Sequence, residues 1–149
     1  MQEMRIGRIV AVLGQAPVVE PFDAVVVVLF SADKLVLVRD ERRAWEFPGG
    51  HREGDESYEE TAAREAHEEA GARITDVEYL GYYTTPAGHV TVIACAEVAC
   101  FERPGGRWEA SEVALFDDLP CDLSFGDGRE RLFLDYARAL RPGLGINRG

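Results

Sequence analysis

The chain has 149 residues, 46% hydrophobic and 9% aromatic, which is enough apolar surface for a packed core and excludes a disordered chain. Its 27 acidic residues outnumber 16 basic ones, for a formal charge of −11. A surface of that sign repels polyanions, which argues against general nucleic-acid binding and against attachment to anionic membrane. An anionic small molecule stays accessible when divalent cations mediate the contact. Cys95, Cys100 and Cys121 are odd in number and lack Cys-x-x-Cys spacing, so reduced thiols, mostly in the core, are expected. The start carries Glu3, Arg5 and Arg8 with no long apolar stretch after them, unlike a signal peptide. The longest apolar run, residues 24–30, falls far short of the about 20 residues that span a bilayer. A soluble cytoplasmic protein is the expectation.

In chain order, residues 25–30 form a β-branched apolar run, Ser31-Ala32-Asp33-Lys34 reads as a turn, and residues 35–38 return as a second strand. This predicts a buried hairpin. Trp45-Glu46-Phe47 is a short extended piece halted by Pro48-Gly49-Gly50. At Ser57 the pattern becomes helical: Ser57 and Glu60 have capping-box spacing, and Gly71 is placed to end the helix in the left-handed region. Ala62, Ala63, Ala66 and Ala70 lie on one arc, a small-residue face that lets the helix sit close against a sheet. Residues 74–84 and 90–101 read as further strands, and Pro104-Gly105-Gly106 as a turn. Leu132, Phe133, Tyr136 and Leu140 mark a closing amphipathic helix over residues 129–140, and the Gly-rich tail at 142–149 is expected to fray. With no repeat or linker, the sum is one domain over residues 1–149, a mixed β-sheet flanked by helices in the α/β or α+β class.

Glu65, Glu68 and Glu69 stand at i, i+3 and i+4, so three carboxylates share about 100° of helix surface. Two readings are open. On a solvated face, like charges at this spacing cost only a few tenths of a kcal/mol. In a cleft, carboxylates about 5 Å apart repel by roughly 3 kcal/mol at an effective dielectric of 20. A divalent cation removes that penalty, and Mg²⁺ takes a few carboxylates together with water and substrate phosphates.

The surrounding spacing selects the second reading. Residues 50–72, GHREGDESYEETAAREAHEEAGA, fit Gly-x5-Glu-x7-Arg-Glu-U-x-Glu-Glu-x-Gly-U at Gly50, Glu56, Arg64, Glu65, Glu68, Glu69 and Gly71. At roughly 7% per residue, seven fixed matches arise by chance on the order of once in 10⁸ windows. The pattern resembles the box of the Nudix hydrolases. The two U positions are Ala66 and Ala72, smaller than the usual aliphatics, which loosens local packing. The resemblance implies an α/β/α sandwich with a loop-helix-loop metal site. It also implies hydrolysis of nucleoside diphosphates linked to another moiety, with Mg²⁺ as cofactor and Mn²⁺ as a substitute. By position, Glu65, Glu68 and Glu69 hold the metal, one of them acting as general base, and the Gly49 carbonyl adds a backbone ligand. Arg64 joins the catalytic set as a residue that pairs with a box carboxylate and orients it; Glu56 takes either role.

The approach Trp45-Glu46-Phe47-Pro48-Gly49-Gly50 and the later segment at residues 112–120 resemble MutT-type nucleoside triphosphate pyrophosphohydrolases, including members acting on oxidised purine triphosphates or RNA 5′ ends. In that alignment Glu112 matches a further metal-binding or catalytic carboxylate, with a solvated loop glutamate as the alternative. Those enzymes often carry a lysine after the second glycine, where this chain has His51. Arg52, or Arg42 and Arg43 upstream, can serve as phosphate binders in its place, since guanidinium grips phosphate in bidentate fashion; solvated arginines are the alternative. His67 and His89 read as plain surface or strand residues. Phe125 and Asp127 fall where MutT-type proteins line a base pocket, but a core Phe and a helix-capping Asp explain them better, and neither is counted among the site residues. Pro86 lies near where ADP-ribose hydrolases carry a proline, without the acidic continuation, so an ADP-ribose or nucleotide-sugar pyrophosphatase is the runner-up. A nucleotide sensor without turnover is a further alternative, against which stand the four intact box glutamates. The partner expected is a small nucleotide, with a monomer or homodimer as the assembly.

Overall fold

A β-branched run that is apolar at every position suits a strand covered on both faces. Ala24–Ser31 forms that strand, β3, in the computed structural model, which describes residues 2–40, 43–102 and 111–140. Around it lie β1 (Gln2–Ile6), β2 (Ile9–Leu13), β4 (Lys34–Asp40), β5 (Gly49–His51), β6 (Ala72–Thr84), β7 (Val90–Phe101) and β8 (Ser111–Phe116). The helices are α1 (Tyr58–Ala70) and α2 (Arg129–Leu140). The strands make one 8-stranded sheet in the order β1-β2-β6-β7-β3-β4-β8, with β5 paired to β3 off that path. The sheet is mixed: β3 runs parallel to β7 and antiparallel to β4 and β5.

Strand alternation sorts the core into two layers. Val25, Val27 and Leu29 of β3 pack with Val36 and Val38 of β4, Val92, Ala94 and Ala96 of β7, and Ala62, Ala66 and Ala70 of α1. Their neighbours Val28, Phe30, Leu35, Leu37, Ile93 and Cys95 pack on the opposite face against Phe133, Leu134 and Ala137 of α2. A helix therefore covers each face, the expected α/β sandwich.

The hairpin forms as predicted, with Leu29 opposite Val36 and Ser31 opposite Lys34. The short extended piece is present too, Trp45 and Glu46 bridging to Leu123 and Val38, but Pro48-Gly49-Gly50 does not end in a turn: a ladder with β3 forms at Gly49–His51. There a Cβ on Gly49 would stand 2.4 Å from the Val25 carbonyl, so two glycines permit an approach that side chains forbid. Ala66 and Ala72 are wholly buried, so the small U residues leave neither position exposed. The thiol expectation needs correction: Cys95 is buried, but Cys100 and Cys121 are exposed, because β7 runs out past the core and Cys121 lies in a loop. The turn at Pro104-Gly105-Gly106 and the tail at 142–149 lie outside the described residues. Among the described residues, no helix is long and apolar enough to cross a membrane.

Candidate active site

Both ends of α1 are fixed locally. The Glu60 N–H donates to Ser57 Oγ at 3.1 Å and the Ser57 N–H to Glu60 Oε1 at 2.8 Å, completing the capping box. Gly71, with φ 65°, ends the helix by donating to the carbonyls of Ala66 and His67. Because Ala62, Ala66 and Ala70 face the sheet, Glu65 and Glu69 are turned toward β5.

Two glycines then receive two carboxylates. The Gly49 N–H donates to Glu69 Oε1 at 2.9 Å. The Glu65 carboxylate fills the space a side chain on Gly50 would need: a Cβ there would lie 2.3 Å from Glu65 Oε2. Arg64 ties the remaining acids together. Its Nε donates to Glu56 Oε2 at 2.8 Å, and its Nη2 to Glu56 Oε1 at 3.0 Å and to the His51 carbonyl at 2.8 Å. Its Nη1 donates to Glu65 Oε2 at 2.9 Å and Glu68 Oε1 at 3.2 Å, with Glu53 Oε2 at 3.3 Å. Such fork-to-carboxylate geometry fixes direction as well as charge.

The electrostatics follow. The Arg64 hydrogen bond holds Glu56 down to about 2 and Glu56 in turn holds the Arg64 guanidinium above its usual range. Burial pushes Glu69 up to about 7, helped by the nearby charges of Glu65, Glu46 and Glu68 and opposed by the Gly49 N–H. Burial also raises Glu65, against the pull of Arg64. Crowded acids held above their ordinary range are a donor set that a hard cation would relieve. Their chemistry fits Mg²⁺, although among the described residues no three acidic, His or Cys side chains converge as a ready-made metal cage. Arg64 Nη1 instead stands between Glu65 and Glu68.

A cleft of about 690 Å³, its open mouth included, begins at Gly49, Gly50 and His51. It runs between the starts of β3 and β7 to Tyr83, Phe125, Phe133 and Glu130. Gly49 and Gly50, which the Glu69 and Glu65 carboxylates touch, thus join the acidic cluster to a largely apolar pocket, the usual arrangement of a small-molecule site.

The sequence model of the NUDIX domain matches residues 20–118. The chain belongs to the NUDIX family. It is 36% identical over 94 residues to YtkD of Bacillus subtilis (strain 168), a protein assigned by name as an 8-oxo-dGTP diphosphatase. That alignment covers 61% of this chain and 60% of the relative's length. Among solved structures, the Bacillus subtilis pyrophosphohydrolase BsRppH superposes with a TM-score of 0.80 at 28% identity, over 94% of this chain and 98% of that one. An ADP-ribose pyrophosphatase from Streptococcus suis superposes with a TM-score of 0.56 at 25% identity, over 79% and 90% of the two chains.

The structure brings together Gly49, just before the box, and the box residues Gly50, Glu56, Arg64, Glu65, Glu68 and Glu69, keeps His51 and Arg52 beside them, and places Glu112 and Arg43 elsewhere. Glu112 opposes Arg39 in the β4–β8 ladder and takes its Nε at 2.8 Å. By alternation with Val113, which packs on the α1 layer, Glu112 belongs to the face away from the box. Arg52 is occupied: its Nε donates to the Glu56 carbonyl at 2.7 Å, Glu20 lies at 3.5 Å, and the guanidinium covers the Phe22 ring at 4.1 Å. Arg43 is exposed beside Glu46 at 3.6 Å, and Arg42 lies outside the described residues. His51 lines the cleft with His89 edge-on at 5.5 Å, so His89 is more than a plain surface or strand residue. His67 is a surface residue against Glu102.

Asp127 acts as a helix cap, accepting the Arg129 N–H at 3.1 Å, and also binds the Arg129 guanidinium at 2.7 Å. Phe125 corrects the alternative of a core residue: it is 41% exposed and lines the cleft. The residue that sequence reasoning missed is Glu130, 3% exposed at the inner end of the cleft. An acid in the first turn of a helix is ordinary, so nothing local marked it.

Proposed function

We propose that the chain is a divalent-cation-dependent pyrophosphohydrolase that opens the α–β anhydride of a nucleoside triphosphate, oxidised purine triphosphates included, releasing the monophosphate and pyrophosphate. The observation that carries this reading is the position of Glu65, Glu68 and Glu69 beside Gly49 and Gly50, at the mouth of an aromatic-lined cleft. Phosphates would lie at the acidic end and the base at the apolar end. The kinship with YtkD and BsRppH supports it.

Glu65, Glu68 and Glu69 would hold Mg²⁺, or Mn²⁺ in its place, with the Gly49 carbonyl as a further donor. When bound, the cation neutralises charge on the phosphates and lowers the pKa of the attacking water. One of the three carboxylates accepts that water's proton as its oxygen bonds to phosphorus and the anhydride P–O bond breaks. Arg64 keeps Glu65 and Glu68 aimed, and Glu56 keeps Arg64 in place. His51 lines the phosphate end, Arg43 stands outside the cleft beside Glu46, and Arg52 serves through its hold on the Glu56 carbonyl. Glu112, paired with Arg39 on the far face, stands outside this set.

The test is product analysis with Mg²⁺ against nucleoside triphosphates, 8-oxo-dGTP, 5′-triphosphorylated RNA, ADP-ribose and diadenosine polyphosphates. Monophosphate plus pyrophosphate from a triphosphate is the expected result. Orthophosphate alone would move the cleavage position, turnover confined to ADP-ribose would select the nucleotide-sugar class, and binding without release would make the domain a sensor.

A further inference from the structure

We propose that Glu130 reads the base of the substrate, its free carboxylate oxygen accepting a hydrogen bond from a ring N–H of the kind a guanine-type purine presents. The inference rests on the nucleotide reading above. Glu130 is 3% exposed, and its two oxygens differ. Oε2 accepts the Phe125 N–H at 3.1 Å, which fixes the carboxyl. Oε1 is buried without a partner, one of two such side-chain atoms among the described residues. The other, Arg138 Nε, belongs to a residue outside the cleft, whereas Glu130 lines it. A buried acceptor left unmade is costly, and such exceptions call for a ligand or a water.

The surroundings suit a flat heterocycle. Tyr83 and Phe133 stack at 5.7 Å, and the half-exposed Phe125 completes an aromatic wall. Arg129, the nearest cation, lies on the Phe125 ring at 4.0 Å and is engaged with Asp127, so it leaves Oε1 without a hydrogen bond. Burial raises the Glu130 carboxyl against the pull of its own N–H and that of Phe125, and an N–H donor from the ligand would add to that pull. Guanine and its 8-oxo form carry ring N–H donors, whereas adenine offers only an exocyclic amine. A site built to pair one polar edge rejects the base that leaves it unpaired.

Glu130→Gln keeps the shape and an oxygen for the Phe125 N–H but turns an amide donor toward the cleft. The expected result is a wild-type kcat/KM at least tenfold higher on GTP than on ATP. In Glu130→Gln that ratio narrows to within threefold, chiefly through KM on GTP, while Tm holds. A structural role would instead lower both substrates together, along with Tm. The metal-free wild type gives an independent reading: GMP should bind more tightly than AMP and shift the Phe125 amide resonance. Equal binding of GMP and AMP, or a Glu130→Gln variant with the wild-type GTP preference, overturns the inference while leaving the hydrolase intact. Tighter GMP binding with no hydrolysis of any nucleotide would uphold the base site and sink the hydrolase.

Discussion

At the scale of single residues, Gly50 and Glu69 separate positioning from stability. Added bulk at Gly50 first meets the far end of the Glu65 side chain, which can swing aside at little cost in stability. Swinging aside removes it from Gly50 and from Arg64. Gly50→Ala should therefore keep Tm within about 2 °C of wild type yet lower kcat at least tenfold, as thermal melting and steady-state rates would show. A fully active, fully stable Gly50→Ala would remove Glu65 from the site. Glu69→Gln keeps an oxygen for the Gly49 N–H but loses the charge, so turnover should fall by more than about 100-fold with the fold intact. Retained activity would take Glu69 out of the metal centre. The box carboxylates were legible because their chemistry is local to one helix turn. Glu130 was not, since its burial depends on Tyr83 and Phe125, brought together only by the fold.

Among elements, β5 and α1 depend on each other. Gly49 sits against the Val25 carbonyl on one side and offers its N–H to Glu69 on the other, so a single residue joins the sheet to the helix. Unlike Gly50, it faces backbone, which cannot move without opening the β3–β5 ladder. Gly49→Ala should cost about 1–3 kcal/mol, measured by denaturant unfolding, and weaken cation binding as well. Unchanged stability would mean that β5 shifts freely. The longer elements were legible from sequence: β3 and β4 from a continuous apolar hairpin, and α1 from its caps and alanine face. Three were not. β1 is exposed along most of its length, with Glu3 and Arg5 on it, so neither alternation nor a buried run announces it. β5 is only 3 residues long and built on two glycines, residues that locally signal a stop. β8 has no strand signal in the sequence, where Glu112 reads as a catalytic carboxylate or a solvated loop glutamate, although Val113 reaches the α1 layer and the strand pairs with β4 from Leu35 to Asp40.

For the whole molecule, a charge of −11 is tolerable on the surface but not in a cleft, and the box concentrates the excess. Glu69, raised to about 7 from the usual 4.5, keeps its proton over a range where the unfolded chain has lost it. Its contribution to stability is therefore complete below about 4.5 and is lost as pH rises toward 7. Glu56, held down to about 2, behaves in the opposite sense: its contribution is complete above about 4.5 and lost only as pH falls toward 2. Through the window from 4.5 to 7, the metal-free protein should accordingly lose Tm to Glu69, with Glu65, raised in the same direction, adding to the fall. A cation competes with those protons and binds the ionised carboxylates. Mg²⁺ at about 100 times its Kd should raise Tm by roughly 5–10 °C at pH 8 and much less at pH 5.5. Glu69→Gln should flatten both the metal-free pH dependence and the response to Mg²⁺. Thermal melts across pH, with and without Mg²⁺, measure this without any substrate. A Mg²⁺ shift of equal size at pH 5.5 and pH 8 would mean that the cation binds elsewhere on the acidic surface, and the box would lose its claim to the metal.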